Sequence, residues 1–530
     1  MPVVSGVKIN WEECHNPTSK HTPLLQAYVA GVLYSIINYY YIYMKNAVTM
    51  MNGAALVATS MLSVANVMAA DREPNVILVL ADDMRGAAMH FLGTENVYTP
   101  NLDKLAAEST VFTNAHIMGG TSGAVSMPSR AMLMTGKYLH TLENRGATVP
   151  KDHILIGQAL QGAGFNAFHT GKWHQSFEAM NRCFNGAKGI YFGGMFDHWN
   201  VPLYDYHEDG VYKSCRPMLK DWAHSNEVTY LNGEYVLSGK HSVDIFTENA
   251  VEYLKSQKNA DKPFFLSVAY MSPHDPRTMP DEYLRRYEKE GVQLPPNFME
   301  KHPFDNGELI IRDEQLAATP RVPNEIEKHI REYYAMITHV DHRLGDIIRT
   351  LKETGEYDNT IIIFAGDNGL AVGQHGLMGK QNVYEHSVRV PLMIKEAKAN
   401  PQGRMSDKLC YLIDVFPTVC EMTGTEIPSS VDGVSLLPVI KEDKAVRDYL
   451  YYSYINNQRA VSDGEWKLCE YNVKGVRTTQ LFNLKQDPWE MKNLAGDKKY
   501  RKIVKKLRKQ MVIERDATKD NSSFWKGFEF

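Results

Sequence analysis

Asn75-Val76-Ile77-Leu78-Val79-Leu80, entered through Pro74 and closed by Asp82-Asp83, decides the fold class. After its first residue the run is apolar without alternation. That is how a strand covered on both faces reads, the pattern of a parallel sheet with helices on either side. Two further runs repeat it. Phe264-Phe265-Leu266-Ser267-Val268-Ala269-Tyr270 is entered through Pro263, and Thr360-Ile361-Ile362-Ile363-Phe364-Ala365 ends at Gly366-Asp367-Asn368-Gly369. Helical patterns lie between, opening at 99–105 and running long over 327–354. Strands alternating with helices predict an α/β fold, with a large, mostly parallel sheet flanked by helices over 71–440. Composition changes near 440. Residues 449–469 and 480–484 read as short antiparallel strands, and 498–515 as a basic helix with a thin apolar stripe. A small C-terminal α+β subdomain is therefore expected over 441–530, its lysine-rich helix a solvated face.

Composition fits this outline. The chain has 530 residues, 44% hydrophobic and 23% charged, with a formal net charge of −4 and a pI near 6.6. Disordered, collagen-like and polytopic membrane classes are excluded, and no basic excess supports nucleic-acid binding. Six cysteines, at 14, 183, 215, 410, 420 and 469, form no CxxC pair and are too sparse for a disulfide scaffold. Cys410 and Cys420 sit in apolar surroundings and read as buried thiols. Two uncharged apolar stretches open the chain. Residues 44–70 read as a signal peptide: a lysine at 45, an apolar 54–64, and small residues up to Ala70. Residues 22–44 reach the ~20 residues of a membrane span, but carry six tyrosines and Asn38. Residues 1–43 are expected to lie upstream of a start at Met44, with an uncleaved anchor as the rival. A periplasmic or secreted location follows.

Ser126-Met127-Pro128-Ser129-Arg130 is the strongest local motif. Pro128 suits the first turn of a helix. Ser126 and Arg130, four apart, share a face there. A helix start is also an N–H-rich place for an anion. Taken alone, the motif describes a capping serine and a surface arginine equally well. Asp82-Asp83 and Asp367-Asn368 add two oxygen-donor pairs at strand ends, where ligands of open α/β sheets bind. Four hard oxygen donors suit Ca²⁺ or Mg²⁺. Gly171-Lys172-Trp173-His174, Ser272-Pro273-His274-Asp275-Pro276-Arg277, and Gly373-Gln374-His375-Gly376 leading to Gly379-Lys380 bring cationic groups after strands in the same way.

With these residues in view, the chain resembles the type I sulfatases of the alkaline-phosphatase-like superfamily. The likeness runs from about Pro74 to the C-terminal segment. There it includes Arg459-Ala460-Val461, Asp463-Gly464-Glu465-Trp466-Lys467 and Leu481-Phe482-Asn483-Leu484 followed by Asp487-Pro488. It implies that Ser126 is oxidised to formylglycine by a separate radical-type maturase. It implies that Asp82, Asp83, Asp367 and Asn368 hold one Ca²⁺, with Mg²⁺ as an alternative. Arg130 and Lys172 would stabilise the hydrated aldehyde. His174 would be the base that breaks the enzyme–sulfate intermediate. His274 and Lys380 would grip the sulfate and assist the alcohol's departure.

The alcohol side is less specified. Residues 183–235 and 275–321 are long enough to build a substrate wall, or are surface connections. The Pro273 to Arg277 segment resembles a bacterial subgroup associated with sulfated sugars, so a carbohydrate sulfatase is expected. Asp275, Arg277, His302, Arg312 and His375 are the candidate sugar contacts. Choline-sulfate, aryl-sulfate, phosphomonoester or phosphonate hydrolysis are the alternatives. A non-catalytic binder of sulfated glycans is the remaining one, should Ser126 stay unmodified.

Overall fold

The computed structural model describes residues 30–45, 72–221, 223–398, 403–526 and 528. The chain divides into two compact units, Met1–Arg72 and Glu73–Phe530. In the first, residues 30–45 form a helix exposed along its length. Among the described residues no helix is long and apolar enough to cross a membrane. The leader expected over 44–70 lies outside the described residues, except for 44 and 45, as do 1–29 of the upstream stretch.

The second unit is built on an eight-stranded sheet. Its strands are β1 (Asn75–Ala81), β2 (Thr110–Phe112), β3 (Asn166–Lys172), β4 (Gly186–Tyr191), β5 (Phe264–Ala269), β6 (Thr360–Gly366), β7 (Leu392–Lys395) and β8 (Arg404–Ser406). They lie in the order β8-β2-β7-β6-β1-β5-β3-β4. Only the pairings of β7, with β6 and with β2, are antiparallel among the described residues. The mostly parallel α/β sheet expected from the three apolar runs is what forms.

β1 sits between β6 and β5 and is buried at all seven positions. Val76, Leu78 and Leu80 enter one hydrophobic core; Ile77, Val79 and Ala81 enter the other. This two-sided burial is why the sequence lacks alternation. The first core is closed by α2 (Ser126–Thr135), through Ala131, Met132, Leu133 and Met134. The second is closed by α3 (Ser242–Ser256) and the 32-residue α4 (Pro323–Thr354). Proline in its first turn and Gly355, at φ 82°, bound α4, a pre-set start and a left-handed stop. The helix opening at 99–105 is α1 (Pro100–Ala106).

The C-terminal segment forms an antiparallel sheet of β9 (Leu450–Tyr454), β10 (Gln458–Ser462), β11 (Trp466–Val473) and β12 (Val476–Asn483). Against it lies α5 (Arg501–Ala517), which buries Val504, Leu507 and Met511, a stripe of three- and four-residue spacing. β9 also pairs in parallel with Gly119–Gly120, close to the start of α2. Gly119 has φ 105°, and a Cβ there would stand 2.2 Å from the Ser453 carbonyl oxygen. Only glycine allows that approach. Cys183, Cys410, Cys420 and Cys469 are free and buried, and Cys215 is free and exposed.

Candidate active site

The carboxyl ends of β1, β3, β5 and β6 bring the predicted groups together. β1 delivers Asp82 and Asp83, and β6 delivers Asp367 and Asn368; all four are buried. α2 starts opposite them and places Ser126 Oγ 3.0 Å from Asp82 Oδ1 and 2.9 Å from Asn368 Oδ1. Ser129, one turn on, donates to the Asp367 carbonyl at 2.5 Å. Arg130 Nε donates to Asp367 Oδ2 at 2.9 Å, Nη1 to the Lys172 carbonyl at 2.5 Å, and Nη2 lies 3.4 Å from Asp82 Oδ2. Lys172 Nζ is paired with Asp82 Oδ2. Lys380 Nζ donates to Asp83 Oδ1 at 2.5 Å. His274 Nε2 stands 3.7 Å from Asp83 Oδ2, and its Nδ1 donates to the Asp275 carbonyl at 2.7 Å. His174 follows β3 at φ 57°, with Nδ1 buried and without a hydrogen-bond partner. A histidine held in the left-handed region carries backbone strain, which clusters at functional sites.

Charges in this space perturb one another strongly. Burial raises Asp82, but Lys172 and Arg130 outweigh it and hold the carboxyl well below its ordinary range. Asp83 is pushed up to about 7 by burial, against Lys380, with repulsion from Asp82 adding to the rise. Asp367 is raised by burial and by Asp82. Lys172 is lowered by burial. His274 falls to about 4 through burial and Lys380, and His174 lies well below its ordinary value through burial, Lys172 and Arg130. Both imidazoles are therefore neutral at pH 7.

The donor set suits a divalent cation. Asp82, Asp83 and His274 present ligand atoms within 4.8 Å of one another. Asp83 Oδ2 is buried without a hydrogen-bond partner, which is costly unless something positive meets it. A dication would favour the ionised form of Asp82, Asp83 and Asp367, whose three charges then equal those of Arg130, Lys172 and Lys380, and its own charge would leave the pocket positive and ready for an anion. Of the oxygens expected to hold it, those of Asp367 already accept from Asp83 N and Arg130 Nε.

The candidate sugar contacts divide. Asp275 and Arg312 are joined beside His274, with Arg312 Nη1 donating to Asp275 Oδ1 at 3.0 Å. Burial raises Asp275, but His274 and Arg312 hold its carboxyl well below the usual range. Arg277 Nη1 lies 2.9 Å from His329 Nδ1. His302 and His375 are placed together elsewhere. His302 Nδ1 donates to the His375 carbonyl at 2.9 Å, and His375 stacks on Tyr384 at 4.1 Å while its Nε2 donates to the Glu490 carbonyl at 3.1 Å. Neither the charged and proline-containing stretch around His302 nor the glycine-rich one around His375 signals this aromatic cluster locally. His198, not singled out in the sequence, backs the site: its Nε2 donates to the His274 carbonyl at 3.1 Å.

Comparison with known proteins places the chain in a family. Residues 74–425 match the family described as Sulfatase, and 373–517 the one described as N-sulphoglucosamine sulphohydrolase, C-terminal. The chain is 27% identical to an N-acetylglucosamine-6-O-sulfatase of Bacteroides thetaiotaomicron, over 88% of this chain and 90% of that one. It is 30% identical to a multifunctional alkaline phosphatase superfamily protein of Trinickia caryophylli, over 81% and 93%. A solved structure of a protein in complex with its substrate D-glucosamine-2-N,6-O-disulfate superposes with a TM-score of 0.68 at 23% identity, covering 86% of this chain and 99% of that one.

Proposed function

Because this chain belongs to the sulfatase family, within the alkaline-phosphatase-like superfamily, and is a sulfate ester hydrolase, we propose that it removes sulfate from a sulfated saccharide, with position 126 as nucleophile beside a divalent cation of the calcium class. One observation carries the proposal. Ser126 Oγ is seated between Asp82 Oδ1 and Asn368 Oδ1, within a ring of Arg130, Lys172, His274 and Lys380. The saccharide class is supported by the relative named for N-acetylglucosamine-6-O-sulfate.

Asp82, Asp83, Asp367 and Asn368 would hold the cation, whose positive charge would polarise the sulfate oxygens. An aldehyde made from Ser126 by a separate maturase, once hydrated, supplies one hydroxyl to attack sulfur and a second whose deprotonation releases the bound sulfate. The rest belongs to the chain's own side chains. Arg130 and Lys172 fix Asp82 and Asp367 and offset charge on the transferring group. His174, neutral and open at one ring nitrogen, takes the proton of the second hydroxyl. Lys380 holds the sulfate on the side where the alcohol leaves, and His274 joins it once the bound anion keeps its Nε2 protonated. The leader expected over 44–70 directs this activity to the periplasm or outside the cell.

Mass analysis of the peptide around residue 126, from protein made in its native host, tests the nucleophile. Loss of two hydrogens, or the corresponding hydrate, supports it. An unmodified serine in protein that still turns over sulfate esters refutes it. The likeness to a multifunctional superfamily member favours a second reading, phosphate or phosphonate ester hydrolysis. Turnover of matched sulfate and phosphate esters of one sugar separates the two.

A further inference from the structure

Three consecutive side chains, Arg312, Asp313 and Glu314, each bond to a residue next to a group placed on the leaving-alcohol side of the pocket. Arg312 is paired with Asp275, the neighbour of His274, through both terminal nitrogens. The Asp275 carbonyl in turn accepts from His274 Nδ1. Asp313 Oδ2 accepts from Gln381 Nε2 at 2.7 Å. Gln381 Oε1 accepts the backbone N–H of Lys380 at 2.9 Å, and its Nε2 also reaches the Gly123 carbonyl, just before Ser126, at 2.9 Å. Glu314 accepts the N–H groups of Met378 and Gly379 at 2.8 and 2.9 Å, and Arg321 braces it from behind. Asp313, Glu314, Arg321 and Gln381 are all buried. Ser126 opens α2, while His274 and Lys380 sit on separate loops, so packing of the sheet alone does not set their spacing.

We infer that Arg312-Asp313-Glu314, with Gln381 as its hub, is a positioning bracket that sets His274 and Lys380 against the departing alcohol; this rests on the roles given to those two residues above. A sugar alcohol leaves with more charge to offset than a nitrophenolate. Displacing the groups that meet it therefore costs sugar sulfates more than aryl sulfates. Misplacement by about 1 Å costs on the order of 10²-fold in rate.

The test compares kcat/KM for a sugar 6-O-sulfate and for 4-nitrophenyl sulfate, using the full-length enzyme. Asp313→Asn and Glu314→Gln are the variants; both positions are buried, and each replacement keeps the side chain's size and one acceptor oxygen. The bracket predicts roughly 10²-fold loss on the sugar sulfate and less than about 10-fold on the aryl sulfate for Asp313→Asn. Glu314→Gln, which loosens the hold on the Met378 and Gly379 N–H groups, is expected to change the ratio in the same direction. His274→Ala is the reference. A shifted ratio for His274→Ala with an unchanged ratio in both bracket variants overturns the bracket alone. An unchanged ratio for His274→Ala overturns the role of His274, and the bracket with it.

Discussion

Lys467→Met is the perturbation whose size can be worked out most fully. Lys467, on β11, is buried, with Nζ 2.8 Å from Glu385 Oε1 and 3.0 Å from Glu490 Oε1. Glu385 also meets His116 Nε2 at 3.1 Å, and Glu490 Oε2 accepts the Glu385 N–H at 2.7 Å. Burial raises Glu385, but Lys467 and His116 hold it well below its ordinary value. Glu490 is pushed up to about 7 by burial, against Lys467, with Glu385 repelling it. Removing the ammonium leaves two buried carboxylates facing each other, and breaking a buried pair from one side costs about 3–5 kcal/mol. The loss depends on pH. A carboxyl whose folded pKa is raised stabilises the fold below its unfolded pKa and loses that contribution as pH rises through the folded value. In the parent that loss is complete soon above pH 7. Without Lys467, Glu490 rises further, and the loss continues at about 1.4 kcal/mol per pH unit. The penalty should therefore be about 1.4 kcal/mol larger at pH 8 than at pH 6. Urea unfolding of the full chain at both pH values measures it, and adding Glu490→Gln should flatten the difference. A penalty under ~1 kcal/mol, or one equal at the two pH values, would refute the reasoning.

The other expectations concern the site. Ser126→Ala should abolish sulfate ester turnover while the thermal midpoint moves by no more than about 2 °C, since a buried hydroxyl contributes only about 1 kcal/mol; steady turnover by this variant would sink the nucleophile. His174→Ala should let the first step proceed and accumulate sulfated protein, seen by intact mass; free enzyme alone in the steady state counts against its role as base. Asp367→Ala should weaken Ca²⁺ binding in calorimetry by at least tenfold and leave Arg130 Nε without its acceptor. Full activity after thorough chelation would remove the cation from the scheme.

Much of the site was legible because strands buried on both faces write themselves as uninterrupted apolar runs. The break in such a run marks the end where ligands bind, so Asp82, Asp83, Asp367 and Asn368 could be grouped before any coordinates. Ser126 and Arg130 could be paired because helical spacing links them locally. The edge strands gave no such signal. Gly186–Tyr191 holds two glycines and a lysine, and Arg404–Ser406 is three residues long. His302 and His375 lie more than 70 residues apart in sequence, and only tertiary packing brings them together beside Tyr384. The bonds of Arg312, Asp313 and Glu314 join positions up to 68 residues apart. Nothing in local periodicity encodes contacts of that range.

The pairing of Gly119–Gly120 with β9 has a consequence for biosynthesis. The ledge just ahead of residue 126 is one edge of a sheet whose other strands lie over 300 residues downstream. During translation, a ribosome that has already released residue 126 must add most of the remaining polypeptide before that ledge gains its partner. Contacts of such sequence separation form slowly. Residues 119 and 120 thus wait for their strand partner long after the helix that begins at 126 could form.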